Sequence, residues 1–417
     1  DYADRIVYGA LSAGNDPALL LVSVKDAPRG KLLKLDLTPG KTPALADARE
    51  IVPQQKDAVI HTDFASGEGV VATAGRLYLT YTTGGPSEVR VFDLAGKPLG
   101  PVPAELISSV ASVAPLAGDD VLIQTQSFVT PPRWIRYAAA DGKTSPTAFA
   151  VKSPADYSDC EVVRVFATSK DGTKVPVNII RRKGTKLDGS NPTVLWGYGG
   201  YGIVESPTFS PRRRLWLEQG GVFAVANIRG GGEFGEEWHS QGNLTRKQNV
   251  FDDFHAAASL LLGQKYCTRE KLAIMGGSNG GLLMGATFTQ HPDLCKAVVS
   301  SVGIYDMLRV ELSSNGAFNI TEFGTVTNPD HFKALYAYSP YHHVKDGTTY
   351  PAVLFTTGAN DPRVDPMQSR KMTARLQAAS PSGLFLLRTS ANTGHGIGSP
   401  LSAQIEQNTD IYGFLMA

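Results

Sequence analysis

Three short stretches of this sequence carry the residue types and spacing of covalent acyl chemistry. Residues 271–286 read Lys-Leu-Ala-Ile-Met-Gly-Gly-Ser-Asn-Gly-Gly-Leu-Leu-Met-Gly-Ala. A short apolar run enters a glycine-flanked serine, Ser278, and a helix-forming run leaves it. Strand, Gly-x-Ser-x-Gly, helix is the pattern of a nucleophile elbow, in which glycines allow a turn too sharp for Cβ atoms and the serine hydroxyl protrudes at its tip. Such a serine needs a base, and the base needs an orienting acid, in the chain order Ser, Asp, His. Asp361 lies in Gly-Ala-Asn-Asp-Pro-Arg, just past the apolar run 352–357, and His395 lies in Asn-Thr-Gly-His-Gly, just past 384–388. In a triad of this kind His395 takes the proton of Ser278, while Asp361 fixes the imidazole tautomer and stabilises the imidazolium. Asp365 is the rival carboxylate, but it stands at an expected helix start and reads as a cap. His61, His239, His255, His291, His331, His342 and His343 lack a comparable setting and read as surface or structural residues.

A second glycine-rich run imitates a different chemistry. Residues 230–235, Gly-Gly-Gly-Glu-Phe-Gly, follow the apolar run 222–228, and Asp252 stands where a dinucleotide fingerprint would place its ribose-binding acid. The context fails, because the next residues do not begin a small-residue helix and Asp252 opens a helix instead of ending a second strand. No His-Glu-x-x-His or clustered Asp/His pattern is present, so neither a metal nor another cofactor is expected. Cys160, Cys267 and Cys295 are widely spaced without a Cys-x-x-Cys pair, which argues against a disulfide framework and a thiolate zinc site. Forty Lys+Arg against 39 Asp+Glu leave a net charge of +1, without the positive excess a nucleic-acid or membrane-surface partner demands. No apolar run approaches the roughly 20 residues that cross a bilayer.

The elements that must position these residues change character along the chain. At 417 residues two or three domains are expected. Up to residue 155, short apolar or β-branched runs (19–24, 31–37, 69–74, 77–81, 89–92, 120–125 and 133–137) alternate with Gly/Pro/Asp turn residues. The pair 76–81 and 88–93 resembles consecutive strands of a propeller blade, with a β-sandwich as the rival all-β arrangement. From residue 156 strands alternate with helices, the signature of a mainly parallel sheet with helices on both faces. Strands are predicted at 162–167, 175–181, 193–197, 221–228, 272–275, 297–301, 352–357 and 384–388. Helices are predicted at 252–262, 280–290 and 366–379, the first opening on the carboxylates Asp252 and Asp253 at the positive end of its dipole. The expected architecture is thus all-β propeller blades over residues 1–155 followed by an α/β-hydrolase domain over 156–417.

Lys-Asp-Gly-Thr-Lys-Val-Pro at 170–176, Trp-Gly-Tyr-Gly-Gly at 196–200, Asn-Ile-Arg-Gly-Gly-Gly-Glu-Phe-Gly at 227–235, the Gly-Gly-Ser-Asn-Gly-Gly elbow and Gly394-His395-Gly396 together resemble the prolyl oligopeptidase family of serine peptidases. The similarity spans roughly residues 157–417. It implies a seven-bladed propeller capping an α/β-hydrolase domain, with the active site between them. It also implies that the Tyr198 hydroxyl and the Asn279 backbone N–H form an oxyanion hole, and that Arg363 binds a substrate carbonyl. Proline-specific members place a tryptophan four residues before an aromatic that is here Phe323. An ungapped reading puts Asn319 there, with Phe318 beside it, so Tyr201 and Phe323 are left to line an apolar pocket and proline preference is expected to weaken.

Family members begin with a short hydrolase-domain segment and further blades, whereas residues 1–155 correspond to the last three or so. Three blades alone would expose sheet edges, so a preceding segment of the same protein is expected as a partner. The chain starts at Asp1 instead of Met, so either a leader has been removed or the chain is part of a longer product, and a cytoplasmic or periplasmic location is expected. The activity expected is hydrolysis of short peptides. Hydrolysis of another acyl bond (ester, acyl-amino acid or isopeptide) is the alternative, and a non-catalytic propeller binding protein is a third reading that the intact Ser278, Asp361 and His395 set argues against.

Overall fold

Alternating apolar and polar residues build the first part of the molecule, as Val121–Ser127 illustrates by burying every second side chain. The computed structural model describes residues 4–12, 17–62, 69–396 and 398–417. These form two units: residues 1–158 with 206–212 and 232–237, and the remainder of the chain.

The first unit contains three antiparallel meander sheets. Ile6–Leu11, Ala18–Ser23, Lys31–Asp36 and Arg49–Val52 pair in chain order, as do Ser108–Pro115, Val121–Ser127, Arg133–Ala138 and Lys143–Ala150. In the middle sheet Arg76–Thr82 pairs on one side with both Val59–Ile60 and Val70–Ala72, and on the other with Ser87–Asp93, followed by Pro98–Pro101. Consecutive four-strand meanders are the build of propeller blades. Arg76–Thr82 is buried on both faces because its pleat feeds two cores. Leu77, Leu79 and Tyr81 pack with Leu20, Val22 and Leu32 of the first sheet, whereas Tyr78 packs with Val113, Val121 and Ile123 of the third. Residues 232–237, which take in the later part of the glycine-rich run, contribute backbone to this unit. Glu233 O accepts the Gly84 N–H (3.1 Å), Pro28 O accepts the Glu236 N–H (3.1 Å), and a Cβ on Gly235 would stand 2.6 Å from Pro28 O.

The second unit is built on an eight-stranded sheet in the order Cys160–Thr168, Lys174–Arg182, Val222–Ala226, Thr193–Trp196, Leu272–Gly277, Ala297–Ser301, Ala352–Gly358, Phe385–Ser390. The first two strand pairings are antiparallel and the other five parallel. Val222–Ala226 is buried throughout, as a strand covered on both faces must be. Successive residues point to opposite layers: Val298, Val353 and Phe355 join the helices Gln248–Gly263 and Asn279–Gln290, while Val299 and Leu354 meet Ile411 of the helix Leu401–Met416. Helices therefore cover both faces. No helix among the described residues is long and apolar enough to cross a membrane.

Helix Gln248–Gly263 begins a turn earlier than the carboxylates suggest. Asp253 is fully buried and accepts from Arg229 Nε (2.9 Å), Nη2 (2.6 Å) and backbone N–H (3.0 Å), so it neutralises an internal guanidinium instead of complementing a helix dipole. Helices Gly316–Phe323, Pro329–Tyr338 and Leu401–Met416 were not anticipated. The second has a readable start, since Asn328 Oδ1 accepts the amides of Asp330 and His331 ahead of a first-turn proline. All three cysteines are buried as free thiols.

Candidate active site

The parallel strands end level with one another, and their C-terminal ends supply the site. Trp196 is in register with Met275, Gly277 with Ser301, Ser301 with Thr356, and Gly358 with Ser390. The residues that follow these ends are Tyr198, Ser278, Val302, Asp361 and His395. Ligand sites of open parallel sheets lie at this edge because the strand-to-helix turns converge there.

Ser278 occupies the turn between Leu272–Gly277 and the helix Asn279–Gln290 with φ +58° and ψ −120°, a conformation costly for a residue with a Cβ. Its N–H donates to Ser301 O at 2.8 Å, which fixes the elbow to the neighbouring strand. The flanking glycines are required by contact: a Cβ on Gly276 would stand 2.5 Å from Gly280 O, and one on Gly281 would stand 2.4 Å from Gly303 Cα. Val302 also adopts a positive φ, +43°, beneath this turn, and its N–H donates to Thr356 O at 2.7 Å.

Tyr198 approaches from the turn after the adjoining strand Thr193–Trp196, while Asn279 directly follows Ser278. The Ser278 side chain is near enough to the Tyr198 hydroxyl to favour its ionised form. Burial raises the Tyr198 pKa to about 12, against the opposing effect of Ser278, so the phenol is a neutral donor throughout the neutral range. Asn279 is the first residue of its helix, where a backbone N–H has no intrahelical acceptor. Its side chain is occupied elsewhere, Nδ2 donating to Tyr198 O at 2.6 Å.

His395 Nδ1 lies 2.7 Å from Asp361 Oδ2. Burial raises the Asp361 pKa, but hydrogen bonds from His395 and from the Val364 and Arg363 amides outweigh it and hold the carboxyl below its ordinary range. An ionised carboxylate at this distance keeps a proton on Nδ1 and leaves Nε2 with its lone pair. Among the described residues Ser278 and His395 are not hydrogen-bonded to each other, and such catalytic contacts often tighten only when substrate is bound. Arg363 is exposed, and its positive charge acts on the Tyr198 hydroxyl. Asp365 Oδ1 accepts the Met367 N–H at 2.9 Å, at the start of the helix Met367–Ala379.

The residues expected to line a pocket divide into two groups. Tyr201, at φ +58°, stacks on Phe318 with the rings 5.9 Å apart and 11° from parallel, and Phe318 is 63% exposed. Phe323 departs from the expectation: it is 0% exposed and meets Tyr201 edge-on at 5.8 Å, so it supports that ring from behind instead of lining a surface. Asn319 is 5% exposed, and its Oδ1 accepts the Tyr201 hydroxyl at 2.7 Å. It braces the aromatic pair and presents no open polar wall. Lys247 and Glu322, both buried, and the half-buried His239, which sequence reasoning did not connect, form a chain behind these residues. Glu322 Oε1 accepts from Lys247 Nζ (2.8 Å), and its Oε2 lies 2.7 Å from His239 Nε2. Burial raises the Glu322 pKa, but Lys247 and His239 more than reverse that, and it is held below its ordinary range.

An elbow serine, an imidazole paired with a carboxylate and a buried phenol from the neighbouring turn, all at the C-terminal edge of a mainly parallel sheet with helices on both faces, make up the architecture of the α/β-hydrolase class. The sequence matches the prolyl oligopeptidase family over residues 207–417, and the N-terminal β-propeller domain of prolyl oligopeptidase over residues 9–150. The chain belongs to the prolyl oligopeptidase family. It is 36% identical to a prolyl endopeptidase of Elizabethkingia meningoseptica over 406 residues, 95% of this chain and 55% of the relative. A solved structure from a study of two prolyl endopeptidases superposes with a TM-score of 0.89 at 42% identity, covering 98% of this chain and 59% of the other. Prolyl oligopeptidase B from Galerina marginata, solved with a 35-residue hydrolysis and macrocyclisation substrate, gives 0.87 at 32% identity, covering 98% and 57%. The chain spans about half the length of the curated relatives it matches.

Proposed function

We propose that this chain carries the active site of a serine peptidase acting on short peptides. The observation that carries the reading is the Asp361–His395 pair at 2.7 Å, on the same sheet edge as an elbow serine at φ +58°. Ser278 Oγ attacks the scissile carbonyl as its proton passes to His395 Nε2, and Asp361 holds the resulting imidazolium. Negative charge then develops on the carbonyl oxygen, where the Tyr198 hydroxyl and the Asn279 N–H act as donors. Collapse of the tetrahedral intermediate expels the amine, which takes the proton from His395. Water repeats the sequence to release the acid and regenerate Ser278. Arg363, exposed and close enough for its charge to act on Tyr198, binds a further substrate carbonyl.

The domain reading follows the same lines: residues 1–155 as C-terminal blades of a propeller and 156–417 as the catalytic domain. Phe318 and Tyr201 form an apolar aromatic surface suited to a small ring or an aliphatic side chain before the scissile bond. Proline is accepted there on Phe318, without the tryptophan of proline-specific relatives. Labelling with a fluorophosphonate, followed by digestion of a peptide library read by mass spectrometry, tests the reading. Labelling lost in Ser278→Ala, with cleavage after proline or small apolar residues, is the expected result. Labelling with ester turnover but no peptide cleavage would instead identify a hydrolase of another acyl bond.

A further inference from the structure

Lys247 is a lysine at 1% exposure that the reaction outlined above does not use. Its Nζ donates to Gly199 O at 3.0 Å and to Glu322 Oε1 at 2.8 Å, and lies 5.2 Å from the centre of the Phe323 ring. Glu322 is 2% exposed. Withdrawing both charges from water is costly, and an apolar pair of similar volume often folds as well or better. What the pair holds is the turn that follows Tyr198. Gly199, Tyr201 and Gly202 all have positive φ, at +67°, +58° and +66°. A Cβ on Gly199 would stand 2.5 Å from Val250 Cγ1, and one on Gly200 would stand 2.5 Å from Asn279 Nδ2. A segment in this conformation keeps its shape only where its surroundings over-determine it. Three side-chain bonds do so here, beside the backbone bond from Gly202 N–H to Gly230 O (3.0 Å): Asn279 Nδ2 to Tyr198 O, Lys247 Nζ to Gly199 O, and Tyr201 OH to Asn319 Oδ1. The third reaches the helix Gly316–Phe323 directly, and the second reaches it through Glu322.

We propose that Lys247 is a positioning residue for the Tyr198 hydroxyl: its ammonium ties the Gly199 carbonyl to Glu322, so that the oxyanion donor and the helix bearing Asn319 and Phe323 are held as one piece. The proposal rests on the role given to Tyr198 under Proposed function. It differs from a general stabilising role in one respect: removing the ammonium should matter only while Tyr198 has a hydroxyl to be positioned.

A double-mutant cycle on a chromogenic peptide substrate reads this directly. The combined variant Lys247→Met with Glu322→Gln removes both charges and leaves no unpaired buried carboxylate. It is compared with wild type, with Tyr198→Phe, and with all three substitutions together. The expected result is a fall in kcat of about tenfold or more at nearly constant KM, shrinking to less than about twofold in the Tyr198→Phe background. Unchanged kcat, or the same loss in both backgrounds, overturns the proposal. If circular dichroism finds the combined variant unfolded, Glu322→Gln alone enters the same cycle, with a loss of about threefold expected only where Tyr198 is present. Ser278→Ala run alongside separates the two levels. Ser278-dependent turnover with additive losses overturns this proposal alone, whereas turnover indifferent to Ser278 overturns the functional reading and this proposal with it.

Discussion

Asp361 divides its carboxylate between two partners: Oδ2 meets His395 Nδ1 at 2.7 Å, while Oδ1 accepts the backbone N–H of Arg363 at 2.9 Å and of Val364 at 3.0 Å. The second oxygen locks the carboxylate plane, so the first addresses the imidazole from one direction only. Asp361→Asn keeps the shape but can offer Nδ1 an amide N–H, which selects the tautomer with a proton on Nε2, the atom that must accept one. A loss of about 10³–10⁴-fold in kcat is expected, with thermal unfolding shifted by only a few degrees. Steady-state kinetics decides it, since a loss below about tenfold would leave Asp361 without its proposed role.

Ser278→Ala removes one oxygen from a turn whose geometry is imposed by Gly276, Gly280 and Gly281. Folding should survive and turnover should not. Activity above about a hundredth of wild type would exclude Ser278 as the nucleophile.

Tyr198→Phe deletes a donor that burial keeps protonated, with its pKa raised to about 12. The expected cost is about 10²–10³-fold in kcat with little change in KM, because the donor acts on charge that appears only in the transition state. A change confined to KM would reassign Tyr198 to substrate binding.

Phe318→Ala removes the exposed half of a stacked pair and leaves Tyr201 still hydrogen-bonded to Asn319. KM for substrates with proline before the scissile bond should rise about fivefold, the equivalent of about 1 kcal/mol of ring contact, while stability is unchanged. Paired proline and alanine substrates measure the effect. An equal rise for both would mean that Phe318 contributes no selectivity. Asn319→Trp, by contrast, inserts a large ring into a site already closed and should lower the unfolding temperature.

Asp171 accepts from Arg229 at 2.5 Å, and that hydrogen bond, opposed by partial burial, lowers its pKa to about 2. A carboxyl with a depressed folded-state pKa stabilises the protein above its ordinary pKa of about 3.9, and that contribution disappears as pH falls through the folded value. The stability difference between wild type and Asp171→Asn should therefore be constant above about pH 5 and vanish towards about pH 2. Denaturant unfolding across that interval tests the sign. Because Asp171 is nearly half exposed, solvent screening keeps the plateau small.

The parts of this site that are local in sequence are legible in it. The elbow is written in consecutive residues, because a turn that brings Gly281 against Gly303 cannot be made with larger ones. The strand ends before Asp361 and His395 are equally visible, since buried parallel strands are short uninterrupted apolar runs. Lys247 and Glu322 are illegible for the opposite reason: each has the look of a surface charge until the fold joins them. Asn319 reads as a polar pocket wall until its partner, Tyr201, is known. The helix Gly316–Phe323 escapes notice because Gly, Asn, Ile and Thr are poor helix formers, and packing overrides that preference.

The buried thiols have a practical consequence. Burial raises the pKa of Cys160 and of Cys267 to about 11 and that of Cys295 to about 12, and only the thiolate attacks an electrophile. With all three thiols buried as well, the folded chain should be a silent background for maleimide chemistry. A single new cysteine, for instance Leu106→Cys at a side chain that is 95% exposed, should take up a fluorophore stoichiometrically while the native three remain unmodified, without any prior removal of cysteines.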